Sequence, residues 1–196
     1  MIFYLIVIFV TLAITCTLNI FFNPMHEPWW VYLIATFAFA LLAFIMDALV
    51  AIIIRRMPEK YFQKDKGIFH TSEKEIKFYM AIKVNKWKDY IPELGGFTNF
   101  HKDKVLNPFD NEYIARFILE ARYGITIHIY SVPASFLILL ADWRMYSGGS
   151  NLFLTIGLPI AFVNAILILL PAFILKFNMP RLVRIYEGNL RAKEKK

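Results

Sequence analysis

The 196-residue chain is 58% hydrophobic and carries a formal net charge of +7. Soluble domains hold about 45–50% apolar residues, so an ordinary globular fold is excluded. With this apolar content the basic excess points to membrane topology and anionic lipid surfaces rather than to nucleic acid. The single cysteine, Cys16, lies inside an apolar run, which excludes an intramolecular disulfide and any Cys/His zinc pattern.

In chain order, residues 2–22 carry no charge and are long enough to cross about 30 Å of hydrocarbon as a helix. A cleaved signal peptide would need a basic n-region and a small-x-small site, and neither is present. Asn23 to Pro28 read as a short turn, and Trp29, Trp30 and Tyr32 form an aromatic belt. The second span, residues 29–54, stops at Arg55-Arg56 and contains Asp47. An ionisable residue inside a span is a functional hypothesis by default; the simpler expectation is that Asp47 pairs with a nearby base. Residues 57–123 are polar, with apolar positions too interrupted by Pro and Gly to bury a core alone. A helix is predicted over 73–90, because Ile76, Tyr79, Met80, Val84 and Trp87 recur at steps of three and four. With lysines off that face, it suits a bilayer interface. Pro92 and Gly95-Gly96 end it, and Asn107 to Asp110 read as a turn starting a short helix over 111–123. The third span, 124–140, carries His128 and Pro133; the fourth, 152–175, carries Pro159, Asn164 and Pro171. Residues 176–196 are a basic tail, helical in its middle.

The fold class is therefore an all-α integral membrane protein. It has four transmembrane helices and a cytoplasmic, interfacial amphipathic helical region between helices 2 and 3, within a single membrane domain. Of the 22 Lys and Arg, the 55–123 region and the tail hold all but Arg144. The positive-inside rule then puts the central region and both termini in the cytoplasm of a multi-pass cell-membrane protein.

Common catalytic motifs are missing: there is no GxGxxG, P-loop, HExxH or GxSxG. His70 and Glu75 approximate the His-x4-Asp pair of glycerolipid acyltransferases, with Glu in place of Asp. His128 is the strongest single candidate, an imidazole able to act as a general base on a hydroxyl at head-group depth. The bland alternative is a neutral histidine hydrogen-bonded between helices. Glu120 would share its face only if the helix runs unbroken through Gly124. Lys83, Lys86, Lys88, Arg122 and Arg181 form a basic surface suited to a phosphate-bearing group, or simply to anionic lipid. Asn178-Met-Pro-Arg-Leu182, directly after the last span, is a more unusual candidate, with a helix-ending turn and a snorkelling arginine as its bland alternative.

Several segments together resemble the glycosyl-4,4'-diaponeurosporenoate acyltransferases, small bacterial membrane proteins that acylate the sugar of a carotenoid pigment. They are Pro58-Glu-Lys-Tyr-Phe62, Lys77-Phe-Tyr79, Ile82-Lys-Val-Asn-Lys-Trp-Lys-Asp89 with Ile91-Pro92, Gly95-Gly-Phe97, Glu120 with His128, and Asn178-Met-Pro-Arg-Leu182. The family pattern Glu-Thr-x-Arg-x-Glu-x-x-His-Trp is kept at Glu120 and His128. Tyr123, Ile125 and Ile129 stand at its arginine, second glutamate and tryptophan.

The resemblance implies transfer of an acyl group, with acyl-CoA as a possible donor and no bound cofactor or metal, to a hydroxyl of a lipid or glycolipid reached from the bilayer. His128 would be the base and Glu120 its orienting or balancing acid. Lys86, Trp87, Lys88, Asp89, Arg122, Asn178 and Arg181 would hold the substrates. A non-catalytic scaffold that binds another membrane protein is the alternative, favoured by the altered glutamate position. A small transporter subunit built around Asp47 and His128 is a third reading.

Overall fold

The uncharged N-terminal run forms α1 (Ile2–Phe22), and the next apolar run forms α2 (Trp29–Arg56). The computed structural model describes residues 2–23, 27–63, 66–91, 105–141 and 152–194. Short 3₁₀ turns at Glu59–Tyr61 and Gly67–Phe69 lead to α3 (Glu73–Ala81), the single turn α4 (Val84–Trp87) and a further 3₁₀ turn at Lys88–Tyr90. Then α5 (Asn111–Ala134) tightens into a 3₁₀ stretch at Ser135–Ala141, and a π turn at Phe153–Gly157 opens α6 (Leu158–Glu194). Taken with these extensions, α1, α2, α5 and α6 are long and apolar enough to cross a bilayer. The protein is an all-α, multi-pass membrane protein.

Three expected boundaries move. The predicted 73–90 helix is broken. It starts on a capping box, with Ser72 accepting from the Glu75 N–H and Glu75 accepting from the Ser72 N–H, but it stops at Ala81. Lys83 adopts the left-handed conformation, with φ 56° and ψ 43°, a conformation costing about 1–2 kcal/mol for a residue with a Cβ. The Trp87 indole N–H donates back to the Ile82 carbonyl at 2.8 Å and holds the reversal. Of the expected apolar face, Tyr79 and Val84 are buried, Ile76 and Trp87 half-buried, and Met80 exposed. Pro92 and Gly95-Gly96 lie outside the described residues.

The second boundary falls at Gly124. The short helix and third span are one helix, because Gly124 serves close packing rather than a break: a Cβ there would sit 2.7 Å from Leu175 Cδ1. The expected turn at 107–110 is present, and the Asp110 carboxylate accepts from the Glu112 and Tyr113 N–H groups at the helix start.

The third lies in α6, which does not end near residue 175. It runs through Pro171 and Pro180, so residues 178–182 are helical and not a turn. A proline leaves the carbonyl four residues earlier without its donor, and a membrane offers no water to replace it. Both carbonyls freed inside α6 find a side chain. Tyr4 Oη donates to Leu167 O at 2.6 Å, four residues before Pro171. Thr71 Oγ1 donates to Lys176 O at 3.0 Å, four before Pro180. Asn19 Nδ2 also donates to Thr155 O at 2.9 Å, in the π turn that precedes α6.

The chain divides into two compact units, Met1–Ile53 with Ile129–Leu169 and Ile54–His128 with Leu170–Lys196. The first is built on Tyr32, Phe39, Ile138, Ile156 and Ile160. Gly157 lets the Phe39 ring approach, since a Cβ would meet it at 2.9 Å. Among the described residues Asp47 pairs with no base, contrary to expectation. Asn164 Nδ2 donates to its Oδ2 at 3.1 Å and to Ser135 Oγ at 3.0 Å, a neutral amide taking the place of a charge.

The second unit holds Arg122, buried at 6% exposure. It donates to the Phe62 and Gln63 carbonyls at 2.9 and 2.7 Å and lies 5.8 Å from the Phe69 ring. Phe62 in turn stacks on Tyr123 at 4.2 Å. Residues expected to be too sparse for a core thus bury one with help from α6: Tyr79 packs on Phe173 at 5.4 Å.

Candidate active site

Within the second unit, Glu120 is the centre of a charged cluster. It pairs with Arg55 from the end of α2 and with Arg116 one turn back on α5, the latter at 2.7 Å. Arg116 also reaches Glu59 at 3.2 Å. The Glu120 side chain is 13% exposed, against 48% for Arg55 and 51% for Arg116. The carboxylate is therefore the sheltered member and the guanidiniums its cover. Arg55 also lies over the Tyr123 ring, 5.0 Å from its centroid, close enough for a cation–π contact.

His128 lies further along the unbroken α5. The step from 120 to 128 is about 12 Å along the axis at about 1.5 Å per residue, and no hydrogen bond or ion pair joins the two. The imidazole is half-buried and makes no hydrogen bond or ion pair with a described residue. One turn before it, Ile125 is fully buried at 0% exposure, so the position of the family's second glutamate is part of the apolar core.

The remaining candidates are distributed. Lys86 and Asp89 are exposed, Lys88 is half-buried, and Trp87 is half-buried with its N–H committed to Ile82. Asn178 is half-buried and Arg181 exposed, both on α6. Arg122 holds the fold through two carbonyls and presents no exposed charge. At the His70–Glu75 pair, Glu75 is already engaged. Its Oε2 accepts from Ser72 and its Oε1 from Lys176. Partial burial pushes the Glu75 carboxyl up, but the hydrogen bonds from Lys176 and Ser72 outweigh that and hold it below its ordinary value. Burial pushes the neighbouring Tyr79 phenol up to about 12, with the Glu75 charge adding to the shift, so it remains a protonated hydroxyl.

Arg55, Arg116 and Glu59 were not singled out from sequence. Arg55 reads there as a topology signal at a span's end, and only the fold brings it to Glu120. The Arg116 to Glu120 spacing of four is a legible helical ion-pair signal.

These features define a class: a small polytopic membrane protein whose polar region carries a carboxylate clasped by two arginines and, further along the same helix, an uncommitted histidine. The chain belongs to the glycosyl-4,4'-diaponeurosporenoate acyltransferase family, whose model matches residues 58–188. No curated protein and no solved structure matches it.

Proposed function

We propose that the protein transfers an acyl group from an activated donor, such as an acyl-CoA thioester, to a hydroxyl of a lipid or lipid-linked sugar, at the cytoplasmic face. His128 carries this reading. It lies within the family-matched residues, on a membrane-spanning helix, with no partner among the described residues to hold its ring. As general base it takes the acceptor's hydroxyl proton. The acceptor oxygen attacks the thioester carbonyl, the carbon–sulfur bond breaks, and the thiolate leaves with a proton. Glu120 sets the two guanidiniums of Arg55 and Arg116 rather than touching the imidazole. Lys86, Lys88 and Arg181 supply positive charge for a phosphate-bearing donor, and Trp87 packs against an acyl chain. A glycosylated carotenoid is the acceptor that the family's description suggests.

The test is lipid mass spectrometry of cells with and without the protein. The expected result is a species heavier by one acyl group, lost in His128→Ala while insertion stays normal. An unchanged lipidome rejects the reading. A second reading, a non-catalytic partner of another membrane protein, is favoured by one observation: Ile125 is fully buried where the family pattern has an acid. In that case His128→Ala leaves the complex with that partner intact.

A further inference from the structure

In the second unit a cleft of about 200 Å³ opens between the end of the Gly67–Phe69 turn and α6. Phe69 and Met179, both buried, form its floor with Val183; His70, Arg184 and Glu187, all exposed, form its rim. Its charges are unequally committed. Glu187 is paired with Arg191 at 3.6 Å. Glu75, four residues from Thr71 in the wall, is paired with Lys176. Thr71 spends its hydroxyl proton on the Lys176 carbonyl. Arg184 makes no ion pair or hydrogen bond with a described residue; the exposed Arg56 and Arg181 make none either, but they do not line the cleft. The acids beside the cleft are thus compensated, and a guanidinium is left over.

We propose that this cleft is a phosphate-binding subsite, in which Arg184 pairs through its fork with two phosphate oxygens. His70 lines the facing wall, and the apolar floor takes the carbon skeleton the phosphate is attached to. A planar guanidinium matches a phosphate's paired oxygens better than an ammonium does. The location suits a lipid phosphate. The apolar run of α6 closes near residue 175; at about 1.5 Å per residue Met179 lies about 6 Å beyond it, inside a head-group layer about 5–8 Å deep, and Arg184 about 14 Å beyond it, on the water side of that layer. A soluble phosphate ester presents the same chemistry. The proposal concerns binding and does not depend on acyl transfer.

The experiment measures binding of two probes, inorganic phosphate and a short-chain phosphatidic acid, to the purified full chain in uncharged detergent. Arg184→Gln is expected to weaken phosphatidic acid by about tenfold, the equivalent of one charge-assisted hydrogen bond. Arg184→Lys, which keeps the charge but not the fork, should fall between. Arg56→Gln removes an equal charge from the exposed end of α2, which lines no part of the cleft, and should bind like the wild type. Tighter binding of the lipid than of inorganic phosphate assigns a lipid head group, and equal binding assigns a soluble phosphate. The proposal is overturned if Arg184→Gln binds both probes normally, if Arg56→Gln weakens them as much, or if the wild type binds neither.

Discussion

The hydroxyl of Thr71 and the ring of Pro180 should be thermodynamically coupled. Pro180 removes the amide that would bond the Lys176 carbonyl, and Thr71 Oγ1 supplies the missing donor at 3.0 Å. Thr71→Val keeps the side chain's shape and deletes the donor. In the wild type it strands a half-buried carbonyl, which costs about 1–2 kcal/mol. Side-chain hydrogen bonds in membrane bundles fall in a similar range, about 0.6–1.7 kcal/mol. In a Pro180→Ala background the backbone amide returns and the carbonyl has a donor without Thr71. There Thr71→Val should cost under about 0.5 kcal/mol, leaving a coupling energy of about 1 kcal/mol. The assay is a double-mutant cycle on unfolding in mixed micelles, followed by helical circular dichroism as denaturing detergent is added. Equal costs of Thr71→Val in both backgrounds would falsify the argument. The same logic predicts that Tyr4→Phe destabilises more in the wild type than in Pro171→Ala, since Tyr4 serves the carbonyl of Leu167.

Arg122→Gln should destabilise by about 2–4 kcal/mol, because two inward-facing carbonyls lose a shared cationic donor; the same unfolding titration measures it. Lys83→Gly should stabilise by up to about 1 kcal/mol, because glycine adopts the left-handed conformation without a Cβ penalty, and a lower midpoint than the wild type would contradict it. Gly157→Ala should cost about 1–3 kcal/mol through overpacking against the Phe39 ring, read as a lowered thermal midpoint. Glu75 makes stability depend on pH. Its carboxyl is held below the ordinary value, so the folded state binds its proton less readily than the unfolded chain. The contribution is fully present above the ordinary glutamate value of about 4.3 and is lost as pH falls through the lower folded value. A pH series of midpoints for wild type and Glu75→Gln should converge at the acid end, and parallel curves would refute the linkage.

The spans were legible because a run of uncharged residues long enough to cross a bilayer has few other physical uses, as at residues 2–22. Their ends were less legible where the deciding partner is remote in sequence. Pro180 and the Asn-Met-Pro-Arg stretch look like the end of a helix when read locally. The helix survives because Thr71, 105 residues away, fills the carbonyl that the proline vacates. Lys83 shows the opposite case: its neighbours have helical periodicity with no Gly or Pro, so nothing local announces the left-handed residue that breaks the helix. The lysine-rich surface looked uniform in sequence, yet Arg122 is built into the fold while Arg181 remains exposed.

The same distinction bears on the site. At 123 the chain has tyrosine where the family pattern carries arginine, which in a linear reading is a lost charge. In the fold the Arg55 guanidinium lies over that ring and reaches Glu120, so the positive partner comes from α2 and the acid stays neutralised. At 125 no described residue supplies such a replacement. Ile125 is fully buried, and an unpaired carboxylate there would carry a desolvation cost of several kcal/mol. The two departures therefore differ in kind. The first relocates a charge and preserves the environment of Glu120. The second removes an acid from one turn before His128 and leaves the imidazole to be oriented by whatever occupies the site. On the acyl-transfer reading, that occupant is the substrate, and the histidine becomes a competent base only when the acceptor hydroxyl is in place.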